Sequence, residues 1–225
     1  VGTDASRATE AHRRGVLSAR IAEDATHWCD APWLVSELRG AGIHSEYVPL
    51  PIPFSTISPP PLPSQFRVLM YLPADPRDRE VFDEETVLRL PEAFPATAFT
   101  LLPATAAGLG RELPPNVATP GWLPTLDDVY AESTVLIRQT THDGMAFTAV
   151  EALARGRYVI WSYPIAGGIH ASGFEDVRAA LSSLIERHES GKLPLNLSGR
   201  AHTLANFAPT RLVTQLDQRL QALLR

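Results

Sequence analysis

Short, nearly unbroken apolar runs alternate with amphipathic stretches along most of the chain. Arg67 to Leu72 (RVLMYL), Ala98 to Leu102 (AFTLL), Thr134 to Arg138 (TVLIR) and Tyr158 to Ser162 (YVIWS) predict strands, with a weaker one over Asn116 to Ala118. Between them, helices are expected over Arg79 to Leu90, Asp127 to Glu132 and Met145 to Arg155. Two more, about Phe174 to Glu189 and Pro209 to Leu224, close the chain. Strands that are apolar throughout have no solvent face, which implies a parallel sheet covered by helices on both sides. The expected fold is a Rossmann-like α/β domain over residues 64–225.

The pattern breaks at Pro49 to Pro63 (PLPIPFSTISPPPLP), where seven of fifteen residues are proline. Proline fixes φ and donates no hydrogen bond, so this stretch reads as an extended linker between domains, residues 49–63. Residues 1–48 predict a short αβ segment. Thr3-Asp4 caps a helix from about Ser6 to Glu23, and Thr26 to Cys29 forms a strand. Asp30 caps a second helix with Pro32 in its first turn and Gly40 at its end, and Gly42 to Val48 forms another strand. That is too little for a complete domain, and Val1-Gly2 opens as though a strand had already begun. The expectation is the C-terminal part of a truncated N-terminal domain.

Composition narrows the partners. The formal charge of −5, with no broad basic face, argues against nucleic acid. A single cysteine, Cys29, permits no internal disulfide and fits a reducing compartment, so a cytoplasmic location is expected, extending to the inner face of a membrane. No apolar run reaches the roughly 20 residues a membrane-spanning helix needs. Asn196-Leu197-Ser198 spells a glycosylation sequon, which carries no meaning without secretion. Lys192 is the only lysine, so any phosphate contact elsewhere falls to arginine or to backbone N–H groups.

In an open parallel sheet, ligands bind beyond the carboxyl ends of the strands. The strand ending at Arg138 runs into the polar loop Gln139-Thr140-Thr141-His142-Asp143-Gly144, and a helix follows near Met145. Gly144 admits a close ligand, and the first-turn N–H groups suit a phosphate or diphosphate. Arg138 can add charge-assisted hydrogen bonds. Glu151 lies two turns into that helix, where its carboxylate can accept from vicinal hydroxyls. From spacing alone, Asp143 reads equally as a helix cap and Glu151 as a solvated acid. No arrangement of His, Cys, Asp and Glu suggests a metal site. Gly167-Gly168 reads as a flexible turn after the last predicted strand.

Thr141 to Ser162 (THDGMAFTAVEALARGRYVIWS) resembles the retaining GT-B glycosyltransferases of the family-four type, also called glycosyl transferases group 1. Their signature is an acid, seven residues and a glutamate, and Asp143 and Glu151 stand at those positions. Asn116 to Thr134 (NVATPGWLPTLDDVYAEST) resembles the family's strand, glycine, base-pocket loop and short helix. Ala31 to Pro49 (APWLVSELRGAGIHSEYVP) is similar to the end of its N-terminal domain.

The resemblance implies a GT-B fold and metal-independent, retaining transfer of a sugar from a UDP- or GDP-linked donor to an unspecified acceptor, with no cofactor and no side-chain nucleophile. It implies that Asp143 meets donor-sugar hydroxyls. The loop around His142 and the N–H groups of Gly144, Met145, Ala146 and Phe147 would cradle sugar and diphosphate. Glu151 would hold the ribose, and Trp122 and Leu123 would lie at the base. Thr148 reads as a phosphate contact or as plain helix surface. The family usually carries arginine and lysine after the first strand of this domain. Here the loop reads Pro73-Ala74-Asp75-Pro76-Arg77-Asp78-Arg79, so Arg77 becomes the candidate for stabilising the leaving group. The alternatives are an inactive nucleotide-binding or interaction module of the same ancestry, and a GT-B nucleotide-sugar epimerase.

Overall fold

The computed structural model describes residues 3–54 and 58–224. In chain order they form α1 (Thr3–Arg13), α2 (Ala19–Asp24), β1 (His27–Cys29), α3 (Pro32–Gly40) and β2 (Ser45–Tyr47). After the proline-rich stretch come β3 (Arg67–Leu72), α4 (Glu84–Ala93), β4 (Ala98–Pro103), α5 (Ala106–Leu109), β5 (Val117–Ala118), α6 (Asp127–Glu132) and β6 (Val135–Arg138). The chain closes with α7 (Phe147–Ala154), β7 (Tyr158–Trp161), β8 (Ile169–His170), α8 (Phe174–Glu189), α9 (Leu197–Phe207) and α10 (Pro209–Leu223). By their contacts the residues group into two compact units. The first comprises 1–53, 142–147 and 206–225; the second comprises 54–141 and 148–205. The sequence reading assigns all of 64–225 to one domain, whereas contacts group α10 and the loop 142–147 with the N-terminal segment.

In the first unit, β1 and β2 pair in parallel, with His27 opposite Ser45 and Cys29 opposite Tyr47. The connection is α3, which starts on Pro32 and buries Leu34 and Leu38, one turn apart on one face. Its N-cap is Ala31, not Asp30, because the Asp30 carboxylate is engaged elsewhere. The single helix expected over Ser6 to Glu23 is two, since Gly15 takes φ +67° and interrupts the hydrogen-bond ladder. The Thr3 side chain and Val1-Gly2 lie outside the described residues. On α10, only Leu212 is buried, and Arg219 pairs with Glu46 at 2.6 Å.

The second unit holds a six-stranded, all-parallel sheet in the order β5-β4-β3-β6-β7-β8. Val68, Met70, Leu72, Phe99, Leu101, Val135, Ile137 and Ile160 pack into one core with Val87 and Leu90 of α4 and Val177, Leu181 and Leu184 of α8. The α8 residues recur at i, i+4 and i+7, a single stripe turned to the sheet. On α7, Ala149, Val150, Ala152, Leu153 and Ala154 are all buried. The helix expected from Arg79 begins at Glu84. Residues Asp78–Val81 form a single 3-10 turn. Phe82 then runs extended, bridging Thr140, and the Asp83 N–H donates to Gln139 O before the Asp83 carboxylate accepts from Thr86 N–H at 3.0 Å and starts the helix. Elements α5, α9 and β8 have no counterpart in the sequence reading.

Two features tie this unit together. Arg157 is fully buried, and its guanidinium donates to the carbonyls of Tyr130 (2.8 Å), Pro61 (3.1 Å), Ala131 (3.2 Å) and Pro60 (3.2 Å). Burial pushes its pKa down to about 10, and the four carbonyls compensate the desolvated charge. The proline-rich stretch is thereby fastened to the end of α6; Ser55 to Ile57 of that stretch lie outside the described residues. Secondly, Gly167-Gly168 sit in the expected turn, closed by Gly168 N–H donating to Ile165 O at 2.9 Å, and that turn is tightly packed. A Cβ on Gly167 would stand 2.2 Å from Gly199 Cα, so two backbone segments cross at glycine contact. Asn196 of the sequon is buried too. Its Nδ2 donates to Gly167 O at 2.7 Å, and its Oδ1 accepts from Gly199 N–H at 3.0 Å, capping α9.

Candidate functional site

The order of the strands locates a crevice in the second unit. From β3 the chain winds outward through β4 to β5, and from β6 it winds the other way through β7 to β8. The loops leaving β3 and β6 therefore diverge at their carboxyl ends, the switch point where open α/β sheets bind ligands. Arg138 closes β6 with its guanidinium over the rings of Tyr71 (5.0 Å) and Phe82 (4.9 Å). Beyond it, Ser162 Oγ accepts from Thr140 N–H at 2.9 Å and donates to Thr140 O at 2.7 Å. Arg77, in the loop after β3, is exposed and gives Nη2–H to Asp75 Oδ2 at 2.7 Å. Those hydrogen bonds hold the Asp75 carboxyl down at about 2. The guanidinium thus spends its fork on a neighbour two residues away.

Glu151 sits in the same unit, half-buried on α7. Its Oε2 accepts from Tyr130 Oη at 2.9 Å. Tyr130 belongs to α6 and is 1% exposed, so its ring is fixed by packing. Arg155 completes the group. It donates to Glu151 O at 3.1 Å, pairs with Asp127 and lies 4.8 Å over the Tyr130 ring. Burial raises the Glu151 pKa, and the Tyr130 hydrogen bond and the Arg155 charge pull it back in part. The Thr148 hydroxyl, one turn earlier, is buried with no partner among the described residues.

The loop 142–147 belongs to the first unit, where α3 and Asp30 hold it. Trp33 Nε1 donates to Asp143 O at 2.7 Å, and His142 Nε2 meets Glu37 Oε2 at 2.7 Å. Trp33 and Glu37 are four residues apart and share a face of α3. The Asp30 carboxylate accepts from the Met145 N–H; burial raises its pKa, that hydrogen bond counters it, and nearby Asp143 adds to the rise. Asp143, Gly144, Met145 and Ala146 are all buried, whereas Phe147 is 39% exposed. One N–H expected to face a ligand is therefore engaged by Asp30.

Trp122 is 77% exposed. Leu123 lines a groove of about 530 Å³ with Thr100, Ala118, Pro120, Asp128 and Val129. The structure thus brings Glu151 together with Tyr130, Arg155 and Asp127 in one unit, and His142, Asp143 and Met145 together with Asp30, Trp33 and Glu37 in the other. Sequence reading missed Asp30, Trp33, Glu37, Tyr130 and Ser162. Of these, only the Trp33/Glu37 spacing leaves a trace in the sequence. No group of three or more His, Cys, Asp or Glu side chains able to hold a metal occurs among the described residues.

No protein-family model matches the chain, and no curated protein sequence does. Solved structures do. A sucrose-phosphate synthase from Thermosynechococcus elongatus superposes with a TM-score of 0.73 at 15% identity, over 95% of this chain and 65% of that one. HepE from Anabaena, solved in complex with UDP-glucose, gives 0.73 at 12% identity over 95% and 68%. A glycosyltransferase from Rickettsia africae gives 0.71 at 10% identity over 96% and 67%. The chain has the GT-B-type fold. It spans about two thirds of the length of these structures, and 44% of that of TarM. No described helix is long and apolar enough to cross a membrane.

Proposed function

We propose that this chain carries the donor side of a glycosyltransferase that binds a nucleotide diphosphate sugar and transfers the sugar with retention and without a metal. The observation that carries the reading is Glu151. It is a desolvated carboxylate on the helix following β6, at the switch point of the sheet, held in one orientation by a buried tyrosine. A ribose diol presents two donors to such an acceptor. The fold shared with HepE, a protein solved with UDP-glucose and with UDP, supports the same ligand class. Residues 1–48 fit the end of an acceptor-side domain, and 49–63 the linker from it.

In this reading the chemistry is positioning and electrostatics. Glu151 fixes the nucleoside, and the loop from His142 to Phe147 with Thr148 receives sugar and diphosphate. Asp143 meets the sugar hydroxyls, Trp122 and Leu123 border the base, and Arg138 and Arg77 offset charge on the departing diphosphate. The acceptor stays undefined. The second reading, a nucleotide-binding module without transfer activity, draws on two observations: Arg77 is committed to Asp75, and the Met145 N–H to Asp30.

The test is a thermal-shift titration with UDP, GDP, ADP and their sugar conjugates on the wild type and on Glu151→Ala. One nucleotide should raise the melting temperature of the wild type, by the equivalent of about 3–4 kcal/mol at roughly 100–1,000 times Kd, and leave Glu151→Ala unmoved. No shift with any nucleotide at millimolar concentration overturns donor binding. Release of nucleoside diphosphate from the bound conjugate then separates transferase from silent module.

A further inference from the structure

The ribose reading assigns Glu151 a role but leaves open why a carboxylate there should be both ionised and fixed. A glutamate side chain has three rotatable bonds, and burial favours its protonated form. A protonated or wandering Glu151 would recognise a diol poorly. Three groups on two helices and one strand act on this problem. Tyr130 Oη, on α6, donates to Glu151 Oε2 at 2.9 Å. Arg155, just past the end of α7, holds the Glu151 carbonyl, pairs with Asp127 of α6 and lies over the Tyr130 ring. Arg138, at the end of β6, adds its positive charge near Tyr130, and the Asp127 carboxylate opposes ionisation at Glu151.

The phenol has a single proton. Its nearer acceptor is Glu151, with Thr148 O behind it at 3.2 Å. A tyrosine 1% exposed is shielded from bulk water, and of its two acceptors the charged carboxylate is the nearer and the stronger. Each carboxylate oxygen keeps further lone-pair sites, so the bond leaves Glu151 able to accept from two ribose hydroxyls.

We infer that Tyr130 is the positioning residue for nucleoside recognition: its hydroxyl locks the Glu151 carboxylate in the orientation that distinguishes a ribose from a deoxyribose. The inference rests on the ribose role of Glu151. It assigns the short segment after the base-pocket loop to the ribose contact, although Tyr130 itself touches no ligand. Removing one hydroxyl contact to a carboxylate costs about tenfold or more in affinity. The lock should therefore be visible as a ratio of affinities.

The experiment measures UDP, GDP and ADP against their 2′-deoxy counterparts on the full chain, in the wild type, Glu151→Gln and Tyr130→Phe. The wild type should prefer the ribonucleotide about tenfold, Glu151→Gln should lose the preference, and Tyr130→Phe should fall close to Glu151→Gln while keeping its ring packing. The second measurement is the acid limb of binding. Loss of the phenol hydrogen bond, which favours the ionised carboxylate, should move that limb to higher pH in Tyr130→Phe. Wild type that binds no nucleotide removes the ribose reading and this inference together. A Glu151-dependent preference that survives intact in Tyr130→Phe, with an unmoved acid limb, removes this inference alone.

Discussion

The two acids of the motif, eight residues apart, are held by different means. Glu151 stands on a helix whose alanine, valine and leucine side chains are buried, and its head group meets a buried phenol. Asp143 belongs to the first unit and is held by polar ties: Trp33 to its carbonyl, Glu37 to the neighbouring His142, and Asp30 to the Met145 N–H. The Glu151 end of the motif is thus set by close packing, and the Asp143 end by individually modest hydrogen bonds from a two-stranded segment. Packing tolerates few alternatives; a set of three hydrogen bonds can be retuned one at a time.

Arg157→Met should break the packed side of that comparison most severely. Four carbonyls lose their donor in a buried place, at a cost of about 3–5 kcal/mol in the second unit. Chemical denaturation monitored by circular dichroism reads it, and a loss under 1 kcal/mol contradicts the account of Arg157 as the clamp of that region. Trp33→Phe probes the other side. It removes one hydrogen bond and should cost about 1 kcal/mol. It should weaken a nucleotide sugar several-fold while leaving the free nucleotide unchanged in isothermal titration. Equal weakening of both would erase the division between the two ends.

The smallest effect is on stability against pH. Burial raises the Glu151 pKa in the folded protein above its unfolded value, so the folded state holds this proton more tightly. Its contribution to stability is then greatest below the ordinary glutamate range and falls as pH rises through the raised value. Glu151→Gln should remove that fall, leaving the variant as stable as the wild type at pH 7 or slightly more so, with a flatter melting temperature between pH 4 and 7. A Gln variant clearly less stable at pH 7 would mean that the ionised acid is a structural asset rather than a cost.

The sheet was legible because its strands are apolar on both faces; β3, β4, β6 and β7 lie within a residue of their predicted limits. The helix near Arg79 was not, because a bridge between Phe82 and Thr140 delays it, and pairing at such a distance leaves no local signature. At the candidate site, glycine and charge mark the loop, whereas spacing alone leaves Glu151 equally a solvated acid and only the family resemblance singles it out. Tyr130 and Asp30 were hidden for the same reason: each acts through a contact made by folding, and each has an ordinary local reading as a core aromatic or a helix cap.

The crossing of Gly167 over Gly199 carries a consequence for how such a sequence can drift. A methyl group on Gly167 would collide with Gly199 Cα at 2.2 Å, and one on Gly199 would meet Leu153 Cδ2 at 2.7 Å and Asn196 Nδ2 at 2.9 Å. Neither position offers a tolerable first step, and changing the second does not relieve the first. Leu153 lies two residues beyond Glu151, so a lineage that loses this crossing must also repack the helix that carries Glu151. The two glycines should therefore persist in relatives for as long as the packing of that helix is kept.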